Sequence, residues 1–503
     1  MSGRPSTGSD VVRYGQPAGR WVLLATVLGS GMAFLDSTVV NIALPRIGTD
    51  LAADAVGLQW TINGYTLGLA SLILLGGSLG DRYGRRRIFI VGVVWFAAAS
   101  LLCGLAPSIE MLIAARVLQG VGGALLTPGS LAILEASFHV DDRAKAIGAW
   151  SALGGVAGAL GPFLGGWLVQ AATWRLVFLI NVPLAVLVAA VAARHVPESS
   201  DPAAAKHLDA IGAIAAATGL AGLTYGFTAW PMEGATSPTV LAALAFGVAG
   251  LVGFVLVERR SSHPMLPLDV FTSKTFTGVN LVTLAVYAAL GGVFFLVVLN
   301  LQVVAGFPPL AAGTALLPVT LLMLALSARA GALGQRIGPR IPMTVGPAVC
   351  AGALVLLSGV GPDARYLQDV LPAVLILGLG LSLTVAPLTA TALGALDEHH
   401  AGIASGVNNA VARTAGLLAV AVLPLAAGLG AGSLTDPGDL GAVYRTAMLI
   451  CAGLLVAGAV TALLMIPAMP EPRAARPASP VRTHCAIAGT PLHPREIPSA
   501  ADD

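Results

Sequence analysis

A short basic segment at residues 76–87, GGSLGDRYGRRR, lies between two long apolar runs at 67–75 and 88–105. Asp81 and four arginines fall in this segment, and charged side chains are costly inside hydrocarbon. The segment must therefore connect two membrane-spanning helices on one side of a bilayer. The same plan of apolar run, short polar turn and apolar run repeats along the rest of the chain.

The composition is that of a helical membrane protein. Of the 503 residues, 56% are hydrophobic and 10% are charged, whereas soluble domains carry about 25% charged residues. We expect an all-α polytopic membrane protein, because helices satisfy their own backbone hydrogen bonds in lipid. The four cysteines form no CxxC pair and no lysine follows a glycine. We therefore expect no metal site, no ATP-binding phosphate loop and no cofactor.

Fourteen apolar runs are long enough to span a bilayer, which takes about 20 residues. The first run is too long for a signal peptide and has no small-residue cleavage site after it, so we expect an uncleaved first span. The fourteen runs lie at 21–44, 56–78, 87–106, 109–137, 145–170, 174–194, 208–229, 239–257, 275–304, 310–328, 342–360, 369–393, 402–428 and 442–466.

The basic residues give these helices an orientation. If the N-terminus is cytoplasmic, 21 of the 27 lysines and arginines fall in cytoplasmic segments, and Arg116 and Arg413 remain inside the membrane. The outer turns then hold four arginines: Arg46, Arg175, Arg365 and Arg445. Cytoplasmic loops carry an excess of positive charge. The sequence therefore predicts a multi-pass protein of a bacterial cytoplasmic membrane with both termini in the cytoplasm.

An internal repeat divides the chain into two related halves. An alternation of glycine and arginine after the second run recurs 254 positions later, after the tenth run. The first copy is Gly80, Arg82, Gly84 and Arg86, and the second is Gly334, Arg336, Gly338 and Arg340. Asp81 of the first copy is replaced by Gln335 in the second. Paired repeats around a midplane site are typical of transporters.

The repeat predicts two six-helix bundles, at 21–194 and 275–466, joined by a linker at 195–274 that holds two inserted helices. A polar N-terminal segment at 1–20 precedes the first bundle. A polar, proline-rich segment at 467–503 follows the second bundle. Its composition predicts disorder.

Asp36 is the only acidic residue that the sequence places well inside a predicted span. It lies about 12 Å, and Arg116 about 13 Å, from the outer ends of their helices at 1.5 Å per residue. Opposite charges at similar depth are expected to pair or to exchange a proton. Ionisable groups inside a membrane are functional by default, so we predict that Asp36 and Arg116 couple transport to protons. A fixed structural ion pair is the alternative.

Three further helices carry distinctive residues. Gln119 lies on the Arg116 face of the fourth helix, at i, i+3. Asn409 and Arg413 share a face of the thirteenth helix, and Arg413 is expected to bind substrate or a helix terminus, with a purely structural role as the alternative. No acidic residue lies deep in the last six helices, which argues against dicationic substrates. The fifth helix combines small residues with a helix-breaking proline, which predicts tight packing and a bend: Gly158, Gly161, Pro162, Gly165 and Gly166.

These motifs together resemble the major facilitator superfamily, specifically its fourteen-helix drug:proton antiporters, over about residues 20–466. The basic segment at 76–87 looks like the loop between helices 2 and 3. LDSTVVNIALP (35–45) looks like the helix 1 motif, and RVLQGVGGALLTPG (116–129) like the helix 4 motif. GALGPFLGGWL (158–168) looks like the helix 5 signature of exporters, and WRLVFLINVPLA (174–185) is also typical of the subfamily.

The resemblance implies a major facilitator fold and alternating access, in which two bundles rock about a midplane cavity and a proton gradient drives export. It assigns a conformational latch to the first loop, formed by Gly80, Asp81, Arg82, Gly84, Arg85 and Arg86. The expected partners are protons, the lipid bilayer and a small-molecule substrate, without nucleic acid. We expect a monomeric carrier rather than an enzyme.

The predicted cavity is apolar and sparsely charged, which suits an amphipathic drug or antibiotic. Its candidate lining residues are Asn63, Gln119, Trp150, Tyr287, Phe294, Asn409 and Arg413. Similar proteins export puromycin- or lincomycin-type antibiotics, including the producer's own. A facilitator-family transporter of a specific metabolite, amino acid or siderophore is an alternative. A membrane sensor or scaffold is a further one, although it has no use for the repeated loop or the buried Asp36.

Overall fold

The computed structural model describes residues 12–469, with gaps at 201–208, 262–263, 265, 397–400, 430–433 and 435. Within the helices, the side chains at 140–141, 144, 151–152, 154–159, 401–403 and 405 also lie outside the described residues. So does nearly all of the tail for which the sequence predicts disorder, from residue 470 onward.

In these ranges the chain is a succession of α-helices joined by short turns. The helices are α1 Pro17–Asp50, α2 Ala55–Tyr83, α3 Arg85–Gly104, α4 Ile109–Ser137, α5 Val140–Ala171, α6 Leu176–Leu179, α7 Asn181–His195, α8 Ala210–Glu233, α9 Pro238–Arg260, α10 Lys274–Val303, α11 Pro309–Thr314, α12 Leu317–Ile337, α13 Arg340–Leu357, α14 Leu371–Gly394, α15 Ala401–Ala426 and α16 Pro437–Met465.

The described residues contain 13 helical stretches long and apolar enough to cross a membrane. The remaining predicted span lies in α5, which is 32 residues long. The all-α polytopic architecture is therefore confirmed. Several helices extend beyond the predicted apolar runs. For example, α1 covers Pro17–Asp50 rather than 21–44, because helical hydrogen bonding continues into the polar residues at the membrane surface.

Two predicted spans each contain two helical segments, although each remains long and apolar enough to cross a membrane. The span at 174–194 is divided between α6 and α7 at Ile180. Pro183, in the first turn of α7, has no backbone N–H to donate to the preceding turn. The span at 310–328 is divided between α11 and α12, and Pro318 lies at the start of α12. An apolar run alone does not reveal such a break.

Side chains define where several helices begin. A carboxylate or hydroxyl oxygen at the N-cap accepts a backbone N–H of the first turn, which satisfies a donor that the helix leaves unpaired. The residues with this role are Asp54, Ser108, Asp209, Ser273 and Asp436. Each precedes a membrane-spanning helix, so the short polar turns fix the start of the helix that follows them.

Helix packing follows the internal repeat. In the first half, α4 packs against α2 and α3, while α1 packs against α5. In the second half, α10 packs against α15 and α16, and α13 packs against α14 and α16. The inserted helices α8 and α9 form a hairpin, and α8 contacts both α2 and α15. The inserted hairpin therefore lies beside the line where the two halves meet.

The two halves are in contact between α2 and α15 and also at the end of the bundle opposite the loop at 76–87. We call the end that carries this loop the arginine-rich face, and the other end the opposite face. Gln302 Nε2 of α10 donates to the Ile42 carbonyl of α1 at 3.1 Å. A Cβ added at Gly166 of α5 would overlap the backbone of Leu310 in α11. These contacts join the halves tightly at the opposite face.

Candidate functional site

Asp36 and Arg116 form a buried ion pair between α1 and α4. Arg116 Nη1 donates to Asp36 Oδ2 at 2.5 Å, and the two side chains are 1% and 0% exposed. The structure thus brings together the two charges that the sequence places at similar depth. Their role in proton coupling stays a prediction.

Three polar side chains surround this pair. Gln119 Oε1 accepts from Arg116 Nη1 at 2.6 Å, and Gln119 Nε2 donates to Asp36 Oδ1 at 2.8 Å. Asn181 Nδ2 donates to the same Asp36 oxygen at 3.2 Å. Ser100 Oγ accepts from both amides, at 2.7 Å from Gln119 and 3.3 Å from Asn181. We call these five residues the Asp36 cage. Every polar atom that these hydrogen bonds join is fixed in place, while Asn181 Oδ1 is buried without a partner among the described residues.

The Arg116 guanidinium has further partners besides the carboxylate. It lies over the Tyr65 ring, 4.6 Å from the ring centroid, and 5.7 Å from the centroid of Phe178. Its Nε donates to the Thr61 carbonyl at 2.9 Å. Aromatic faces attract cations more strongly when water is excluded. Arg116 therefore keeps stabilising contacts on α2 and α6 that do not depend on the charge of Asp36.

The sequence analysis missed two members of the cage, Ser100 and Asn181. Asn181 lies in the 174–185 motif, to which no chemical role was assigned. Asn181 could have been found in the sequence as a polar amide in an otherwise apolar run, two residues before Pro183. Ser100 gave no comparable signal, because a serine in a helix usually bonds to its own backbone.

Glycines of α5 bring that helix against the segment of α1 that carries Asp36. A Cβ at Gly161 would overlap the Thr38 hydroxyl, and a Cβ at Gly165 would lie 2.7 Å from Val39 Cγ1. The predicted close packing is present at these positions. Gly158 lies outside the residues whose side chains are described. Pro162 lies inside α5, and its carbonyl is approached by Gly313 of α11.

In the predicted latch loop, Asp81 pairs with a neighbour on the same loop. Arg85 Nε and Nη2 lie 2.9 and 2.8 Å from Asp81 Oδ1. Gly80 and Gly84 bracket the turn into α3, and Gly84 has a φ of +107°, which side-chain-bearing residues rarely adopt. Arg82 is exposed, with its guanidinium 5.0 Å from the Tyr83 ring centroid.

Arg86 connects this loop to the segment after α7. Its Nη1 donates to the Val196 carbonyl at 3.1 Å, and its backbone N–H donates to Glu198 Oε1 at 3.1 Å. Glu198 also lies 3.6 Å from Arg87 Nε. The sequence analysis missed Glu198, because the residues that follow the sixth span were read only as the start of the linker.

The cavity candidates fall into different environments. Asn63 is fully buried, and neither of its amide atoms has a partner among the described residues. Gln119 belongs to the Asp36 cage, and Trp150 Nε1 donates to Ser30 Oγ of α1 at 3.2 Å. Phe294 is 38% exposed. Asn409 is exposed, whereas Tyr287 and Arg413 are half-buried.

Sequence comparisons agree with this architecture. The family model described as Major Facilitator Superfamily matches residues 26–420. The multidrug resistance protein Stp of Mycobacterium tuberculosis (strain CDC 1551 / Oshkosh) is 36% identical over 402 residues, which are 80% of this chain and 74% of that protein. The puromycin resistance protein of Streptomyces alboniger is 35% identical over 464 residues, which are 90% of this chain and 92% of that protein.

A comparison of folds gives the same result. The crystal structure of a bacterial homolog to the human lysosomal transporter Spinster, inward-facing and unoccupied, has a TM-score of 0.64. The match covers 90% of this chain and 97% of that chain at 19% identity, so it bears on the fold alone. With its family match, its relatives above 30% identity and its helical architecture, the chain belongs to the major facilitator superfamily of membrane transporters.

Proposed function

We propose that this chain is a proton-coupled antiporter that exports an amphipathic drug or antibiotic across the bacterial cytoplasmic membrane and so confers resistance, including self-resistance in a producing organism. The observation that carries the proposal is the buried Asp36–Arg116 pair inside its polar cage. Relatives named for multidrug and puromycin resistance support export as the direction and drugs as the substrate class.

Protonation of Asp36 changes the energy of the cage. The carboxylate is fully buried and accepts from Arg116, Gln119 and Asn181. Removing one charge of a buried pair destabilises the structure that holds it by about 3–5 kcal/mol, because the other charge is left without its partner. A change of that size is sufficient to shift an equilibrium between two conformations more than a hundredfold. Loading and unloading of one proton at Asp36 therefore supplies a driving step for a conformational change.

The conformational change is a rocking of the two halves. In the present conformation the halves are joined at the opposite face through Gln302–Ile42 and Gly166–Leu310. We take this face as the extracellular side, so the arginine-rich face is cytoplasmic, as are both termini. Opening of these contacts, with the latch loop holding the cytoplasmic side, releases substrate outward. A proton crossing with the membrane potential supplies about 2.3 kcal/mol per 100 mV, enough for about fiftyfold accumulation.

The chain acts as a monomeric carrier and not as an enzyme, and the proton gradient replaces a cofactor. One observation favours a second candidate, a transporter of a specific polar metabolite. The Asn63 amide is fully buried without a partner among the described residues, and such a group gains most from a substrate that forms hydrogen bonds with it. Asp36 and its cage have the same role in that alternative.

The test is resistance in an efflux-deficient bacterium that expresses the chain, measured as inhibitory concentrations over a broad panel of antibiotics and dyes. We expect resistance to one or a few compounds. It should be lost in Asp36→Asn, which keeps the size of the side chain. Asp363→Asn is the matched control, because Asp363 is exposed at the opposite face.

Two results contradict the proposal. Unchanged resistance in Asp36→Asn, at equal amounts of protein in the membrane, refutes the proton-coupling role. The absence of a shift for every compound refutes drug export and favours the metabolite transporter.

A further inference from the structure

Two threonines of the inserted helix α8 are buried with unbonded hydroxyls. Thr224 and Thr228 are both 0% exposed, and neither hydroxyl has a hydrogen-bond partner among the described residues. Buried threonines elsewhere, such as Thr61 and Thr283, donate to the carbonyl four residues earlier in their own helix. This bond is the usual one for a threonine inside a helix. Thr224 and Thr228 do not form it, so their hydroxyls are left for another partner.

The glycines of α8 show which way these threonines face. A Cβ added at Gly219, Gly222 or Gly226 would overlap residues of α9, so the three glycines face the other helix of the hairpin. At 3.6 residues per turn, Thr224 and Thr228 lie on the far side of α8. Besides α9, α8 contacts α2 of the first half and α15 of the second. The two hydroxyls are therefore buried against the two halves of the molecule.

The side of α2 that faces α8 carries an unbonded amide. Leu67 of α2 belongs to the same buried cluster as Leu220 of α8. Near the other end of this contact, the Trp60 ring lies 6.4 Å from the Tyr225 ring. Asn63 lies between Trp60 and Leu67 on the same side of α2, at i+3 and i−4. It is 0% exposed, and both atoms of its amide lack a partner among the described residues.

The unbonded groups of the two helices lie at matching depths. Helix α2 runs away from the opposite face, and α8 runs toward it. At 1.5 Å per residue from these helix ends, Asn63 and Thr224 both lie about 12–14 Å deep. Gln59 and Thr228 both lie about 6–8 Å deep, and Gln59 Oε1 is also buried without a partner among the described residues. We call these four residues the α2–α8 polar site.

The chemistry of the α2–α8 polar site suits a neutral ligand group. Its side chains are uncharged, and they offer hydroxyls, amide N–H donors and carbonyl acceptors. A buried ion needs a partner of opposite charge, which these side chains do not provide. A hydroxyl or an amide both donates and accepts, so it satisfies several of the unbonded atoms at once, and each such atom is costly while it stays unbonded.

The place of the site in the fold connects it to transport. Helix α8 contacts both α2 and α15, and these two helices belong to different halves. Rocking of the halves moves α2 relative to α15, so it changes the surroundings of the polar site. A ligand can then enter a site that is closed in the present conformation.

We propose that the α2–α8 polar site binds an uncharged hydroxyl or amide group of the exported substrate, so that the inserted helix α8 takes part in substrate selection. This inference rests on the proposed export function and names a chemical group that the substrate carries. Water has the same hydrogen-bonding chemistry, so the experiments must distinguish a substrate group from bound water.

The first experiment measures the melting temperature in detergent without substrate. Thr224→Val and Thr228→Val keep the shape of the side chain and replace the hydroxyl with a methyl group. Because a buried hydroxyl without a partner is unfavourable, we expect each variant to melt at the same temperature as the wild type or higher. A fall in either variant means that the hydroxyl is bonded to water or to the protein in the absence of substrate, and it overturns the proposal.

Thr218→Val is the matched control on the same helix. The Thr218 hydroxyl donates to the Ile214 carbonyl at 2.8 Å, so it already has its partner. This variant gives the effect of the same replacement outside the polar site, and we expect it to leave the KM for transport unchanged.

The second experiment measures transport into inverted vesicles. The probes are the compound with the largest shift in the resistance panel and analogues that each lack one of its uncharged hydroxyls or amides. We expect Thr224→Val and Thr228→Val each to raise the KM of the parent compound about tenfold, the effect of one lost hydrogen bond. One analogue should have the same KM in the wild type and in the variant, because it lacks the group that bonds the threonine.

The possible failures are distinguishable. An equal rise in KM for the parent compound and for every analogue means that the threonines act on the conformational change, and it overturns the proposal. An unchanged KM for the parent compound in both variants also overturns it. Both results leave the proposed export function intact. A panel with no exported compound overturns the export function and this inference with it.

Discussion

Arg86 and Arg340 lie 254 positions apart and make the same contact in the two halves of the molecule. Arg86 Nη1 donates to the Val196 carbonyl at 3.1 Å, and Arg340 Nε donates to the Ile466 carbonyl at 2.6 Å. Val196 and Ile466 are the C-cap residues of α7 and α16, the last helix of each half. Each arginine thus ties the start of the third helix of its half to the end of the sixth.

The first prediction concerns these two arginines. We expect Arg86→Gln and Arg340→Gln each to lower the transport rate several-fold without preventing insertion in the membrane. A charge-assisted hydrogen bond is worth about 1.5–3 kcal/mol, which corresponds to roughly a tenfold or larger shift between conformations. Alkylation of a single cysteine introduced at the arginine-rich face measures that shift. Arg260→Gln is the control, because Arg260 is an exposed arginine of α9 on the same face. An equal effect of Arg260→Gln means that the loss does not come from the hydrogen bonds of Arg86 and Arg340.

The turns before these arginines depend on glycine for two separable reasons. Gly84 and Gly338 have φ values of +107° and +85°, and an added Cβ would also overlap Glu198 in the first case and the Ala468 carbonyl in the second. Gly234 has a φ of +87° with open space around it. We expect Gly234→Ala to show only the backbone cost, about 1–3 kcal/mol. Gly84→Ala and Gly338→Ala should lower the melting temperature more than Gly234→Ala does, because the added Cβ also overlaps a neighbour. Equal losses of melting temperature at the three sites would mean that this overlap has no effect.

Glycines of α5 provide a prediction about packing against the helix that carries Asp36. We expect Gly165→Ala to destabilise the protein by about 1–3 kcal/mol through overpacking against Val39, and transport should fall with it. Gly148 lies in the same helix, and a Cβ added there would have no other atom within 4 Å. Gly148→Ala should therefore be neutral or stabilising by up to about 1 kcal/mol. Thermal unfolding in detergent and transport in vesicles measure both effects; similar losses in the two variants argue against helix contact as the cause.

Asn181 is predicted to position the carboxylate of Asp36. Asn181→Leu keeps the branched shape of the side chain, with two methyl groups in place of the amide atoms, and removes the donor to Asp36 Oδ1 and to Ser100 Oγ. We expect roughly tenfold slower transport and an altered pH profile, with normal amounts of protein. Ser100→Ala should have a smaller effect. Because both residues belong to one network, the double variant should lose less than the two single variants together. Additive losses indicate independent roles.

The sequence predicted the features that depend on local composition. Run length and the distribution of arginines predicted the helical spans, and the similar depth of Asp36 and Arg116 predicted their contact. The division of the sixth span into two segments at Ile180 was not predicted, because the apolar run continues through it. Asn181 was missed for a related reason, since its partners Asp36 and Ser100 lie 145 and 81 positions away. A side chain's chemistry is local, but its partners are set by tertiary packing.

In the latch loop, too, the contact between neighbouring residues was predicted and the contact between distant residues was not. The sequence predicted a basic turn with Asp81 as the acidic partner, and the Asp81–Arg85 pair is local, at i, i+4. The acidic residue that bonds Arg86 is Glu198, 112 positions away. Its position just after a predicted span was visible, but nothing in the sequence connects it to Arg86 until the ends of α3 and α7 are brought together.

The last prediction separates the role of the Tyr65 ring from that of its hydroxyl. The ring holds the Arg116 guanidinium 4.6 Å from its centroid, whereas the hydroxyl lies at the far end of the side chain. Tyr65→Phe keeps the aromatic face, so proton-driven transport should be nearly unchanged. Tyr65→Leu removes a cation–π contact worth up to about 2 kcal/mol when water is excluded, so it should slow transport about tenfold or more. Proton uptake coupled to substrate efflux, measured in vesicles, provides the readout. Equal loss in both variants shifts the role of Tyr65 from its ring to its hydroxyl, and no loss in either means that the ring contact with Arg116 is not needed for coupling.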